Sequence, residues 1–136
     1  MSTIAPQTAL IYVMVTMSAV DNSMNDKELR EIGAIAQHLP IFRDFSPERI
    51  IPVARECASI LQEDGGLDAV LGLIKDALPF ALRETAYALA VEIAASDLNV
   101  GQEEMRLLQL LRDALDIEKL VAAAIERGAR ARYMTI

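Results

Sequence analysis

Oxygen-bearing side chains fall at alternate positions in the stretch DNSMNDKE, as Asp21, Ser23 and Asn25, and Glu28 follows one helical turn later. A second stretch, DLNVGQEE, carries Asp97, Asn99, Gly101 and Glu104 in the same spacing. Hard cations such as calcium are wrapped by oxygens from loop positions 1, 3 and 5, and a carboxylate from the following helix closes the shell. The pattern D-x-[S/N]-x-[N/G]-x-x-E therefore offers metal ligands at Asp21, Ser23, Asn25, Glu28, Asp97, Asn99 and Glu104. Neither stretch is a full helix-loop-helix calcium hand, which needs a sixth-position glycine and a twelfth-position glutamate. The sixth residues here are Asp26 and Gln102, and the twelfth are Ile32 and Leu108. A complete shell would need other segments, backbone carbonyls or water. The same residues fit a structural role equally well. Glu28 and Glu104 stand where a capping box places its glutamate, and Asp21 and Asp97 suit turns.

These residues must be positioned by helices. Alanine and leucine dominate, β-branched runs are rare, and only five prolines and six glycines interrupt the chain, a composition that favours helix. Pro6 suits the first turn of a helix running to about Ala19. Asn25 is an expected N-cap for a second helix, whose apolar face carries Leu29, Ile32, Ile35, Ala36 and Leu39 and which ends at Pro40. Ser46 as N-cap and Pro47 at the first helical position open a third, with Pro52 close enough to its start to delay or kink it. The break EDGG precedes a fourth helix over LDAVLGLIKDAL, and Pro79 separates it from a fifth, FALRETAYALAVEIAAS. A sixth runs from about Gln102 to Leu115, and a seventh follows, with Asp116 as its expected N-cap. No linker or low-complexity segment divides residues 1–136, so the expectation is one all-α domain, a compact bundle of about seven helices.

The N-terminal run ALIYVMVTMSAV is apolar nearly all round. It falls short of the roughly 20 residues that span a bilayer, and it lacks the basic start and cleavage site of a signal peptide. A buried central helix is the expectation. Thirteen basic against twenty acidic residues give a net charge of −7, the wrong balance for a phosphate-backbone binder, so nucleic acid is excluded as the first partner class. Arg127, Arg130 and Arg132 cluster at the end of the last helix, where they complement its dipole. The single cysteine, Cys57, rules out an intramolecular disulfide, fits a reducing cytosol, and lies in a helical apolar pattern that points to core packing. His38, the only histidine, falls near a helix end, and nothing in the sequence pairs it with Cys57.

Laying Asp21 over Asp97 aligns AVDNSMNDKELREIGAIAQHLPI with ASDLNVGQEEMRLLQLLRDALDI. Ala19 then meets Ala95, Glu28 meets Glu104, Arg30 meets Arg106, Leu39 meets Leu115 and Ile41 meets Ile117. Each copy, about 8–41 and 84–117, is an apolar helix, a polar break and an amphipathic helix. Such a repeat implies two helical hairpins related by a pseudo-twofold, each covering what the other cannot bury alone.

The paired AVDNSMNDKE and ASDLNVGQEE resemble the two signature copies of the tellurite-resistance TerB proteins and their TerB-like relatives, over roughly residues 8–117. In that family an apolar helix ends in Ala-Asp-Gly, and a glutamate opens the amphipathic helix that follows. The glycine after Asp is here Asn22 in one copy and Leu98 in the other. Asn adopts a left-handed backbone readily and Leu does not.

The resemblance implies a non-enzymatic acidic helical module that binds a divalent cation, calcium in particular, through Asp21, Glu28, Asp97 and Glu104. It also implies protein partners, among them other resistance proteins at the cytoplasmic face of the inner membrane, in a tellurite or stress-resistance setting. The localisation expected is then cytoplasmic or peripheral to that membrane, with no transmembrane span. TerB-like domains also occur beside J-domains in co-chaperones, so a purely structural or regulatory interaction domain without metal is the alternative. A carboxylate-based metal-dependent hydrolase is disfavoured by the absence of a serine, cysteine or histidine constellation. The apolar richness is compatible with a homodimer.

Overall fold

Ten consecutive residues, Thr8–Met17, are buried on every side of the first helix, so the rest of the chain has to be wrapped around it. The computed structural model describes residues 3–19, 25–96 and 101–136. These form seven α-helices and, among the described residues, no strand: α1 (Pro6–Ser18), α2 (Asp26–His38), α3 (Ile50–Leu61), α4 (Gly66–Ala77), α5 (Phe80–Ser96), α6 (Gln102–Ala114) and α7 (Lys119–Arg132). Short 3-10 turns at Pro40–Phe42 and Pro47–Arg49 link α2 to α3. The all-α expectation holds. No described helix is long and apolar enough to cross a membrane.

Helices α2, α3, α4 and α5 all pack against α1, and α5 carries α6 and α7 in turn. The amphipathic α2 buries Leu29, Ile32 and Ala36, with Ile35 and Leu39 partly covered against the same core. Gln7 ties the start of α1 to the turn after α2, donating from Nε2 to the Ile41 carbonyl at 2.9 Å. Two buried tyrosines send their hydroxyls out of the core to glutamates. Tyr12 on α1 donates to Glu56 on α3 at 2.5 Å, and Tyr87 on α5 donates to Glu126 on α7 at 2.5 Å. Arg112 of α6 meets the same Glu126 oxygen at 3.2 Å.

The helix boundaries correct two expectations. Ser46 makes no side-chain cap; it precedes the Pro47–Arg49 3-10 turn, and the α-helix starts only at Ile50. Pro52 then lies in the first turn of α3, where its missing N–H deprives no intrahelical bond. Asp116 is not the N-cap of α7, a position held by Glu118. Asp116 instead adopts the left-handed conformation at φ 55° just past α6. There the N–H of Ile117 bonds the Arg112 carbonyl at 3.0 Å and that of Asp116 bonds Asp113 at 3.2 Å. This is a Schellman closure, with aspartate in the position glycine usually takes. The arginine cluster behaves as expected: Arg130 and Arg132 occupy the last turn of α7, and Arg132 pairs with Glu92 at 2.6 Å. His38 ends α2.

A tight turn joins α3 to α4. Gly65 takes φ +72°, and a Cβ on Gly66 would lie 2.1 Å from the Ile60 carbonyl oxygen. Backbone stands in the way there, so the turn cannot relax cheaply. Gly66→Ala is therefore expected to lower stability by about 1–3 kcal/mol in urea denaturation.

Cys57 is fully buried against α1, its Sγ 3.8 Å from the Tyr12 carbonyl, as the apolar pattern implied. Burial pushes its thiol from an ordinary 9.0 up to about 12, with a bond to Thr16 pulling weakly the other way. Burial likewise raises Tyr12 and Tyr87 above the ordinary 10.0, helped by their glutamate partners. All three groups hold their protons more tightly in the folded chain than in the unfolded one. Their contribution is thus complete below pH 9.0 and declines as pH rises toward about 12. Urea midpoints should fall above pH 9.0, and Cys57→Ala should delay the onset toward the ordinary tyrosine value of 10.0.

Candidate functional site

Four helix ends converge on one cavity of about 290 Å³. The C-terminal turns of α1 and α5 bring Met17, Ser18, Ile93 and Ser96, and the N-terminal turns of α2 and α6 bring Asn25, Glu28 and Glu104. Met17 and Ile93 are buried apolar groups; the oxygens stand above them. Glu28 and Glu104, the glutamates of the two sequence repeats, therefore line the same cavity although far apart in the chain. Each stands in the first turn of its helix, where the positive end of the dipole favours a carboxylate.

Local chemistry places each of them. The Glu28 N–H donates to Asn25 Oδ1 at 2.8 Å, so Asn25 is the N-cap its residue type predicts. Glu104 is 9% exposed, and its Oε1 accepts from the Gly101 N–H at 3.4 Å. Gly101 has no side chain to return the bond, so α6 carries only half of a capping box. Asn25 keeps a second lone pair on Oδ1 for another partner. Ser96 donates its hydroxyl to the Ile93 carbonyl at 2.8 Å, which leaves its oxygen able to accept.

The remaining expected ligands, Asp21, Ser23, Asp97 and Asn99, lie outside the described residues, as do Asn22 and Leu98. Among the described residues, no group of three histidine, cysteine, aspartate or glutamate side chains could hold a metal ion. The cavity also has residues that the spacing argument missed: Ser18, Lys27, Glu31 and Ser96. Glu31 was legible in principle, because it follows Glu28 by three positions and so shares its face. The two serines close the apolar helices just before each break. Lys27 supplies an ammonium to an otherwise acidic lining.

A second acidic node adjoins the cavity. Glu92 of α5 accepts from Arg132 and from the Tyr133 hydroxyl. Tyr133 is pushed up to about 12, first by that bond and then by burial, and Glu31 adds a smaller electrostatic push in the same direction. The end of α7 is thereby fastened to α5 within electrostatic reach of a cavity-lining carboxylate.

The architecture is that of an all-helical bundle with Glu28, Glu31 and Glu104 gathered at one cavity between helix ends. The family model described as "Tellurite resistance protein TerB" matches residues 7–127, and the chain belongs to that family. No curated protein and no solved structure matched it.

The two caps differ in a measurable way. Asn25→Ala should cost about 1 kcal/mol and Asn25→Asp little, whereas Gly101→Ser should add a few tenths of a kcal/mol by completing the box on α6. Gly101 has an ordinary φ of −86°, and a Cβ there meets nothing closer than 3.7 Å. Thermal denaturation of the three variants checks both ends.

Proposed function

We propose that the chain is a non-enzymatic acidic module that takes a divalent cation, calcium by its chemistry, where the two hairpins turn. The observation that carries this reading is the meeting of Glu28 and Glu104 in one cavity. Apart from the Lys27 ammonium and the Asn25 amide nitrogen, the polar side-chain atoms offered there are carboxylate, carboxamide and hydroxyl oxygens, a set suited to a hard cation. Two glutamates and an asparagine do not complete a calcium shell of six to eight oxygens. Asp21 and Asp97, with Ser23 and Asn99, are the ligands assigned to finish it. A bound cation would balance the negative charge that the two glutamates bring to the cavity. Family membership favours the same reading and the tellurite-resistance setting, with protein partners at the cytoplasmic face of the membrane.

The one thiol is fully buried and strongly raised and so is a poor nucleophile, which argues against cysteine chemistry alone. An interaction domain without metal is the second reading, favoured by the capping bonds of Asn25 and Glu104. In that case partner binding would survive Asp21→Asn unchanged.

Calorimetric titration separates the two. Saturable calcium binding below millimolar concentration is expected, with the folded state gaining about 2.7 kcal/mol when free calcium is about 100 times Kd. Asp21→Asn combined with Asp97→Asn should weaken binding roughly tenfold or more, as removal of ligand charge does. No binding in that range, or an affinity that the paired substitution leaves unaltered, would sink the cation reading.

A further inference from the structure

A neighbouring face of α2 shows a different chemistry. A groove of about 540 Å³ separates α2 from α3, with Leu29, Gly33, Ala34 and Ile51 along it and Arg30 and Arg55 beside them. It adjoins a second hollow of about 310 Å³ that shares Gln37, Pro47 and Ile50 with it and adds Arg43. Asp26 is the single carboxylate among the described residues lining either one. Arg30, Arg43 and Arg55 are exposed, and none has an ion pair among the described residues. On a chain of net charge −7, Arg30 and Arg55 on this groove and Arg43 on the adjoining hollow, without ion pairs among the described residues, are a local reversal of sign.

We propose that this groove docks an acidic amphipathic helix of a partner protein. Ile51, 47% exposed, is the apolar anchor. A Cβ on Gly33 would meet nothing within 4 Å, so the floor is open, and the small side chains at 33 and 34 let a helix backbone come close. An incoming helix with apolar residues three and four apart would set them on Ile51 and the exposed Ala34. Its flanking aspartates or glutamates would meet guanidinium groups that bind carboxylates in a bidentate fork. A basic or neutral helix would gain the apolar contact and lose the charge pairing, so the arginines select for sign.

Selection of a displayed random-peptide library on the full chain tests this directly. Enriched peptides should be net acidic with apolar residues at helical spacing. Their affinity should fall roughly tenfold or more in Arg30→Glu combined with Arg55→Glu, and with rising salt, as expected for charge pairing at a rim. Ile51→Ser should weaken them independently of salt. These side chains are exposed, and a circular-dichroism melt matching the parent chain verifies that the variants fold. Absence of enrichment, enrichment of neutral or basic peptides, or equal binding to the double variant overturns the proposal. So does a concentration-dependent dimer that the double variant abolishes, because the occupant would then be a second copy of this chain.

Discussion

A helix with no polar face cannot stand at a surface, and α1 obliges every other element to answer for it. Residues Thr8 to Met17 are all buried, and each fully covered Leu, Ile, Val or Met side chain stabilises the fold by about 1.5–3 kcal/mol. The cover comes from α2, α3, α4 and α5. Once α1 and α5 pack together and both emerge at the cavity, the amphipathic helices that follow them must begin there too. The meeting of Glu28 and Glu104 is thus a consequence of burying two apolar helices.

Polar groups carried into that core are led out of it. The Tyr12 and Tyr87 rings are fully buried, yet each hydroxyl reaches a glutamate at the rim. A buried hydroxyl without a partner costs one to a few kcal/mol, so these contacts also fix the second helix after each apolar one. Glu56 holds α3 to α1, and Glu126 holds α7 to α5, with Arg112 of α6 joined to the latter. The tyrosines do not align with each other when Asp21 is laid over Asp97. Similar ties in the two halves are therefore built from different sequence positions.

Much of this was readable from local chemistry. Pro6, Pro40 and Pro79 mark helix limits because proline removes an N–H and restricts the residue before it, and Asn25 caps because its oxygen reaches the third N–H of the helix. The failures have equally local causes. Ser46 looked like a cap because the residues after it are helical, but they wind first as a 3-10 turn. Asp116 looked like the start of α7 because aspartate favours N-caps, whereas the chain needed a left-handed residue to close α6. Glu31 shares the face of Glu28 by its spacing and was overlooked, whereas the arginine groove escaped because it depends on which face of α2 meets α3, and one helix's spacing does not contain that.

Helix α2 is where the two surface chemistries meet. Lys27, Glu28 and Glu31 face the acidic cavity, while Asp26, Arg30, Gly33, Ala34 and Gln37 face the groove. At 3.6 residues per turn the cavity set, the groove set and the buried Leu29, Ile32 and Ala36 that hold the helix to the core fall in three sectors, each about a third of a turn from the next. The charge of each face comes from its own residues, so substitution at Arg30 leaves the oxygens at Glu28 in place. The seating of the helix is common to both: whatever shifts Ile32 in its packing moves the cavity and the groove together. A change confined to one face is therefore the signature of a side-chain role, and a change on both faces marks a displaced α2.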